Sequence, residues 1–125
     1  CLLLCAADPA IGPERGSLVI VGGGRLPAAV IDEFLARAGG VDALFVQIPT
    51  ANVGEDWGDS YLDRSFLKRR GVNNLTVLHT RNREVADSEE FVAPLRRAAG
   101  VWIDGGWQWR LADAYLNTRT HRELL

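Results

Sequence analysis

Four short apolar runs punctuate the chain, at residues 17–21, 43–48, 75–78 and 101–103. Each is continuous rather than alternating, the pattern of strands covered on both faces of a parallel sheet. Between them the apolar positions recur at helical spacing. Val30, Ile31, Phe34, Leu35 and Ala38 stripe a helix that begins around Pro27 and is stopped by Gly39 and Gly40. A second helix is expected from about 61 to 70, ended by Gly71. Ser88, followed by Glu89 and Glu90, opens a third with a good cap and favourably placed acids. Leu111, Ala114 and Tyr115 mark one face of a helix after the fourth strand, and Asn117 or Thr118 caps a last one. Strand and helix thus alternate four times. The expectation is an α/β domain: a doubly wound parallel sheet with helices on both faces. Neither internal repeats nor low-complexity tracts interrupt it.

In such a sheet, ligands bind at the loops that leave the C-terminal ends of the strands. The loop after the fourth run carries the most chemistry: Gly105 and Gly106, then Trp107, Gln108, Trp109 and Arg110. Adjacent glycines leave backbone N–H groups free to face a developing oxyanion. Thr50, Asn52 and Arg81 fall at the other strand ends and would line the same cleft. Trp107 and Trp109 would form its wall or cover an apolar surface. Arg110 and Arg119 suit an anionic group or a pairing with Asp113. Gly22, Gly23 and Gly24 follow the first run, but Pro27 stands where a dinucleotide fingerprint needs Gly or Ala. Asp42 lies at the start of a strand rather than its end, so these glycines read as a tight turn beside the cleft. His79 and His121, the two histidines, have no acidic or thiol partner at ligand spacing. Neither a metal nor a cofactor is expected. Ser17, Ser60, Ser65 and Ser88 all lack a Gly-x-Ser-x-Gly setting.

Composition narrows the partners. A net charge of −2 over 125 residues offers no basic patch for nucleic acid or an anionic membrane. No apolar run reaches membrane-spanning length. Cys1 and Cys5, the only cysteines, sit in a leading segment through Ala7 that has the look of a signal-peptide remnant. Residues 1–16 are read as that remnant plus a linker, and 17–125 as part of one domain. Export to the periplasm and cytoplasmic residence both stay open, as does homodimer formation.

The series Leu18-Val19-Ile20-Val21-Gly22-Gly23-Gly24, Ile48-Pro49-Thr50-Ala51, Leu78-His79-Thr80-Arg81 and Gly105-Gly106-Trp107-Gln108-Trp109-Arg110-Leu111 resembles cyanophycinases and their relatives. That family, which also holds aspartyl dipeptidases, comprises serine peptidases on the class I glutamine amidotransferase-like fold, of flavodoxin-like topology. The resemblance runs from about Ser17 to the end, and the Gly-Gly-x-Gln-x-x-Leu element is its most specific part. It implies that Gly105 and Gly106 supply oxyanion-hole N–H groups and that Gln108 lies in the substrate pocket. Trp107, Arg110, Gly23, Gly24, Thr50, Asn52 and Arg81 complete the expected binding set for a peptide or isopeptide. Where the family often has Asp between Gly-Gly and Gln, Trp107 stands here. The family's nucleophilic Ser and its His and acidic partners lie further along than Leu125. The expectation is therefore a C-terminally truncated, inactive portion of a hydrolase, with an open strand edge. An amidotransferase-like enzyme of the same fold and a non-catalytic module with a Trp-lined cleft are the alternatives.

Overall fold

The computed structural model describes residues 16–54 and 57–125. Three strands, β1 (Leu44–Ile48), β2 (Asn74–Val77) and β3 (Gly100–Ile103), form a parallel sheet in the order β2-β1-β3. Phe45 lies level with Leu75 and Gly100, and Gln47 with Val77 and Trp102. The helices are α1 (Ala28–Arg37), α2 (Asp59–Arg64), α3 (Phe66–Arg69), α4 (Arg83–Ala86), α5 (Glu89–Arg97), α6 (Gln108–Tyr115) and α7 (Arg119–Leu124).

Successive side chains of a strand face opposite ways, and β1 uses this to build two cores. Phe45 enters one with Ile31, Leu35, Leu67 and Val72, against α1 and α3. Phe34 and Phe66 meet the Trp102 ring edge-on there, at 5.3 and 4.9 Å. Val46 and Ile48 enter the other with Leu78, Ala86, Leu95, Ala114 and Tyr115, against α4, α5 and α6. Helices therefore cover both faces of the parallel sheet, as the continuous apolar runs required. Phe45, Val46 and Ile48 are wholly buried. No helix among the described residues is long and apolar enough to cross a membrane.

Three local expectations are corrected. Residues 17–21 are not a strand: Leu18 and Ile20 are 81% and 83% exposed, and no strand pairs with them. Without a neighbouring strand to take its amides, such a segment satisfies them with water. Its side-chain tie to the fold is the 3.0 Å bond that Arg37 Nη1 donates to Ser17 Oγ. The helix expected at 61–70 is two helices, because Ser65 breaks it with an extended ψ of 133°. There its hydroxyl caps α3 at the Leu67 N–H, 3.2 Å away. The short α4 went unforeseen; Asn82 starts it by accepting from the N–H groups of Glu84 and Val85. The segment read as a signal remnant, and its linker apart from Gly16, lies outside the described residues.

Candidate functional site

Because all three strands run the same way, the loops after Ile48, Val77 and Ile103 gather at one end of the sheet. The loop after β3 is stitched to the loop after β1. Asp104 N donates to Ile48 O and Trp107 N to Ala51 O, both at 2.9 Å. Gly106 sits between these ties with φ of 141°, a conformation side chains disfavour. A Cβ there would fall 2.8 Å from the Ala51 carbonyl carbon, with its oxygen nearer still. Glycine is thus required at 106 by close backbone approach. At Gly105 a Cβ would meet open space. Neither the Gly105 nor the Gly106 N–H has an acceptor among the described residues. The Trp107 N–H, by contrast, is already committed to Ala51.

The side chain of Gln47, 2% exposed, organises the floor beneath this loop. Its Oε1 accepts from Ser65 Oγ at 2.6 Å, while its Nε2 donates to Tyr61 OH at 2.7 Å and Asp104 Oδ1 at 2.9 Å. The Tyr61 hydroxyl donates in turn to Asp104 Oδ2, which Asn52 Nδ2 also approaches, at 3.4 Å. Asp104, the residue immediately before the two glycines, is therefore held from three sides. Burial pushes the Tyr61 hydroxyl far up from the ordinary tyrosine range, and the bond to the Asp104 carboxylate and its charge raise it further.

A second set joins the loops after β1 and β2. The wholly buried Thr50 places its Oγ1 2.6 Å from Tyr115 OH and 2.9 Å from His79 Nδ1. The Thr80 N–H donates to the same Tyr115 oxygen at 3.4 Å. Burial raises the Tyr115 hydroxyl as well, opposed by the bonds from Thr50 and the Thr80 backbone. The Trp57 ring connects the two sets, 4.7 Å from Tyr61 and 5.6 Å from His79.

Tyr61 and Tyr115 are the only tyrosines. Both have raised values, so the folded chain keeps protons that the unfolded chain loses above its ordinary tyrosine pKa near 10. Stability contributed by these hydroxyls is intact below about pH 10 and falls as pH climbs beyond it. An ultraviolet titration should show less phenolate absorbance at about pH 10.5 in the folded chain than in urea, where both tyrosines ionise normally. Ordinary ionisation of either tyrosine in the folded chain would contradict the burial and bonding described above.

Thr50, Asn52, Arg81, Gly105, Gly106, Trp107, Gln108 and Arg110 all lie at this end of the sheet. Arg110 Nη1 donates to Asn52 O, and its guanidinium lies 4.5 Å from the Trp107 ring and 5.4 Å from the Trp109 ring. The two indoles stack at 5.9 Å and are more than half exposed. Arg81 Nη2 also reaches Asn52 O, at 3.1 Å, and Gly54 O at 3.2 Å. Both arginines thus hold the 52–54 loop through its carbonyls. Gln108 is exposed on the first turn of α6. At Gly23 and Gly24 an added Cβ would meet nothing within 4 Å, as at Gly105. Arg119 is elsewhere, paired with Glu89 at 2.9 Å.

Gln47, Tyr61, Ser65, Asp104 and Tyr115 were not singled out for a site in the sequence. Gln47 was the legible one, a polar residue inside the run Phe45-Val46-Gln47-Ile48, which burial permits only with partners. A cavity of about 510 Å³ lies away from these loops, at the start of α1, between Arg25, Pro27, Ile31 and Arg70. Its Arg70 is already engaged by Asp32 Oδ1 and Ala28 O, both at 3.0 Å. The chemistry is concentrated at the strand ends.

No family model matches the chain. It is 32% identical over 103 residues to a cyanophycinase of Synechococcus elongatus, covering 79% of this chain and 31% of that protein. A cyanophycinase of Thermosynechococcus vestitus matches with the same identity and coverage. The chain thus spans about a third of the length of the curated relatives it matches. The similarity supports a cyanophycinase-like relationship.

Proposed function

We propose that this chain carries the oxyanion-binding portion of a cyanophycinase-like serine hydrolase that cleaves peptide or isopeptide bonds by acyl transfer to water. The observation that carries this reading is the loop of Gly105 and Gly106. It lies at a strand's C-terminal end, is fixed by close backbone contact, and has two N–H groups with no acceptor among the described residues. A carbonyl oxygen that gains negative charge under attack would find two donors already in place. The likeness to cyanophycinases supports the same class of reaction.

The chain's own serines do not supply the nucleophile in this reading. Ser65 serves Gln47 and α3, Ser88 caps α5, Ser17 is held by Arg37, and Ser60 lies within α2. The attacking Ser belongs to polypeptide beyond Leu125, with a His as its general base. Its hydroxyl oxygen adds to the amide carbonyl as the His takes the proton. The C–N bond then breaks, the amine leaves with that proton, and water hydrolyses the acyl ester. Gln108 and the Trp107 and Trp109 surface would position the acyl portion. The exposed stack of Trp107, Arg110 and Trp109 also favours a second reading, a binding module without catalysis.

The longer polypeptide containing this chain should hydrolyse a panel of α- and β-linked aspartyl dipeptides. Gln108→Ala should raise KM roughly tenfold, the loss of about one hydrogen bond, with a smaller change in kcat. A folded protein that binds peptides without turning any over would favour the binding module.

A further inference from the structure

Gly105 and Gly106 have no side chains to hold them, yet they lie between two tied residues. Asp104 N donates to Ile48 O before them and Trp107 N to Ala51 O after them, both at 2.9 Å. Gly106 is itself pressed against the Ala51 carbonyl, whereas at Gly105 an added Cβ would meet nothing within 4 Å. The direction of the Gly105 amide therefore depends on the residue before it. We infer that Asp104 is a positioning residue: its carboxylate, held by Gln47, Tyr61 and Asn52, aims the Gly105 and Gly106 N–H groups at the reacting carbonyl oxygen. This role rests on the oxyanion reading of the loop.

The hold comes from three separate segments. Gln47 Nε2, on the central strand β1, donates to Asp104 Oδ1 at 2.9 Å. The Tyr61 hydroxyl, on α2, donates to Oδ2, and Asn52 Nδ2, in the loop after β1, reaches Oδ2 at 3.4 Å. Each donor is fixed in its turn. Gln47 accepts from Ser65 Oγ at 2.6 Å, the Trp57 ring packs edge-on against Tyr61, and Asn52 O takes bonds from Arg81 and Arg110. Burial keeps the Tyr61 hydroxyl protonated, so it remains a donor. A carboxylate suits this place because both its oxygens accept, whereas an amide would turn an NH2 group toward one of the donors.

A single backbone bond leaves the end of a strand free to roll about its axis. Bound at its N–H and at its carboxylate, Asp104 cannot roll, and the peptide after it leaves in one direction. Gly105 is then strung between two immobile neighbours, which removes the freedom that glycine ordinarily has. Asp104 does this from a half-buried position, while Gly105 and Gly106 stay exposed and open to a substrate. Donors fixed before the reaction need no reorganisation as charge develops on the carbonyl oxygen.

Asp104→Ala and Asp104→Asn in the longer polypeptide containing this chain test the role through two readouts. In steady-state kinetics on aspartyl dipeptides, kcat should fall about 10–100-fold in Asp104→Ala, with KM within about threefold of the parent. Asp104→Asn, which keeps part of the hold, should lose less. Nuclear magnetic resonance of glycine-labelled protein reads the loop whether or not peptides are turned over. In the parent the Gly105 and Gly106 amides should be as rigid as the sheet, with order parameters of about 0.85. In Asp104→Ala they should drop to about 0.6, while Gly100 in β3 stays rigid and shows that the fold persists. Should Asp104→Ala fail to fold, Asp104→Asn carries both readouts with smaller changes. Unchanged order at both glycines would overturn the inference, and so would loosened amides at unchanged kcat. A raised KM at unchanged kcat in both variants would overturn it too, by making the carboxylate a binding group for a substrate cation. Loosened amides in a protein whose parent turns over no peptide would sustain the hold on the loop and overturn the hydrolase reading alone.

Discussion

Gly106→Ala should lower the stability of the fold by roughly 2–3 kcal/mol, the cost of a forbidden backbone conformation and of a disrupted backbone tie. The added methyl carbon would stand 2.8 Å from the Ala51 carbonyl carbon, and backbone cannot swing aside as a side chain can. Relief requires the loop after β3 to lift from the loop after β1, which breaks the bond from Trp107 N to Ala51 O. Lifting moves both glycine amides, so under the proposed oxyanion role kcat should also fall by about 10²–10³, as when an oxyanion donor is removed. Urea unfolding reads the first effect and steady-state kinetics the second. Gly105→Ala is the internal control. Its methyl group meets open space, and its stability should stay within about 0.5 kcal/mol of the parent. If Gly106→Ala is equally harmless, the backbone contact described at Ala51 does not exist.

The second large effect is expected at Gln47. Gln47→Leu keeps the volume of the side chain and removes every polar partner at the centre of the network. Ser65 loses its acceptor, Tyr61 loses a donor, and the Asp104 carboxylate loses one of the groups that hold it. Hydrogen bonds to a charged group are worth about 1.5–3 kcal/mol, and stranded buried partners add to that, so a loss of roughly 2–4 kcal/mol is expected in urea unfolding. Tyr61→Phe should cost less, because Gln47 and Asn52 still hold Asp104. The double variant should cost less than the sum by about 0.5 kcal/mol or more, since both residues act on one carboxylate. Additive effects would mean that the two side chains do not share it.

Much of this architecture was legible in the chain because burial on both faces leaves a simple mark. The runs at 43–48, 75–78 and 101–103 are apolar without alternation, and each became a strand within a residue of its expected place. Ser88 declared its helix through a cap whose chemistry is local. Residues 17–21 carried the same mark but are not a strand, because strand formation depends on a neighbour as well as on composition. Ser65 broke a helical pattern for the sake of Gln47, 18 positions away, which no local spacing records. At the candidate site, the turn residues Gly105 and Gly106 announced themselves, since adjacent glycines after an apolar run have few other uses. Tyr61 and Tyr115 did not, because each looked like one more apolar position on a helix. Their hydroxyls found Asp104 and Thr50 across 43 and 65 positions of sequence. Arg81 and Arg110 looked like ligand groups in the sequence, and the fold turns both onto the carbonyl of Asn52.

The most direct test of the proposed function treats the longer, folded polypeptide with a serine-reactive fluorophosphonate and maps the label by mass spectrometry. The expected result is one labelled serine, downstream of Leu125, whose reactivity disappears on denaturation and drops sharply with Gly106→Ala. Absence of label on the folded protein, or label only on Ser17, Ser60, Ser65 or Ser88, would contradict the serine-hydrolase reading and leave the loop of Gly105 and Gly106 as part of a binding surface.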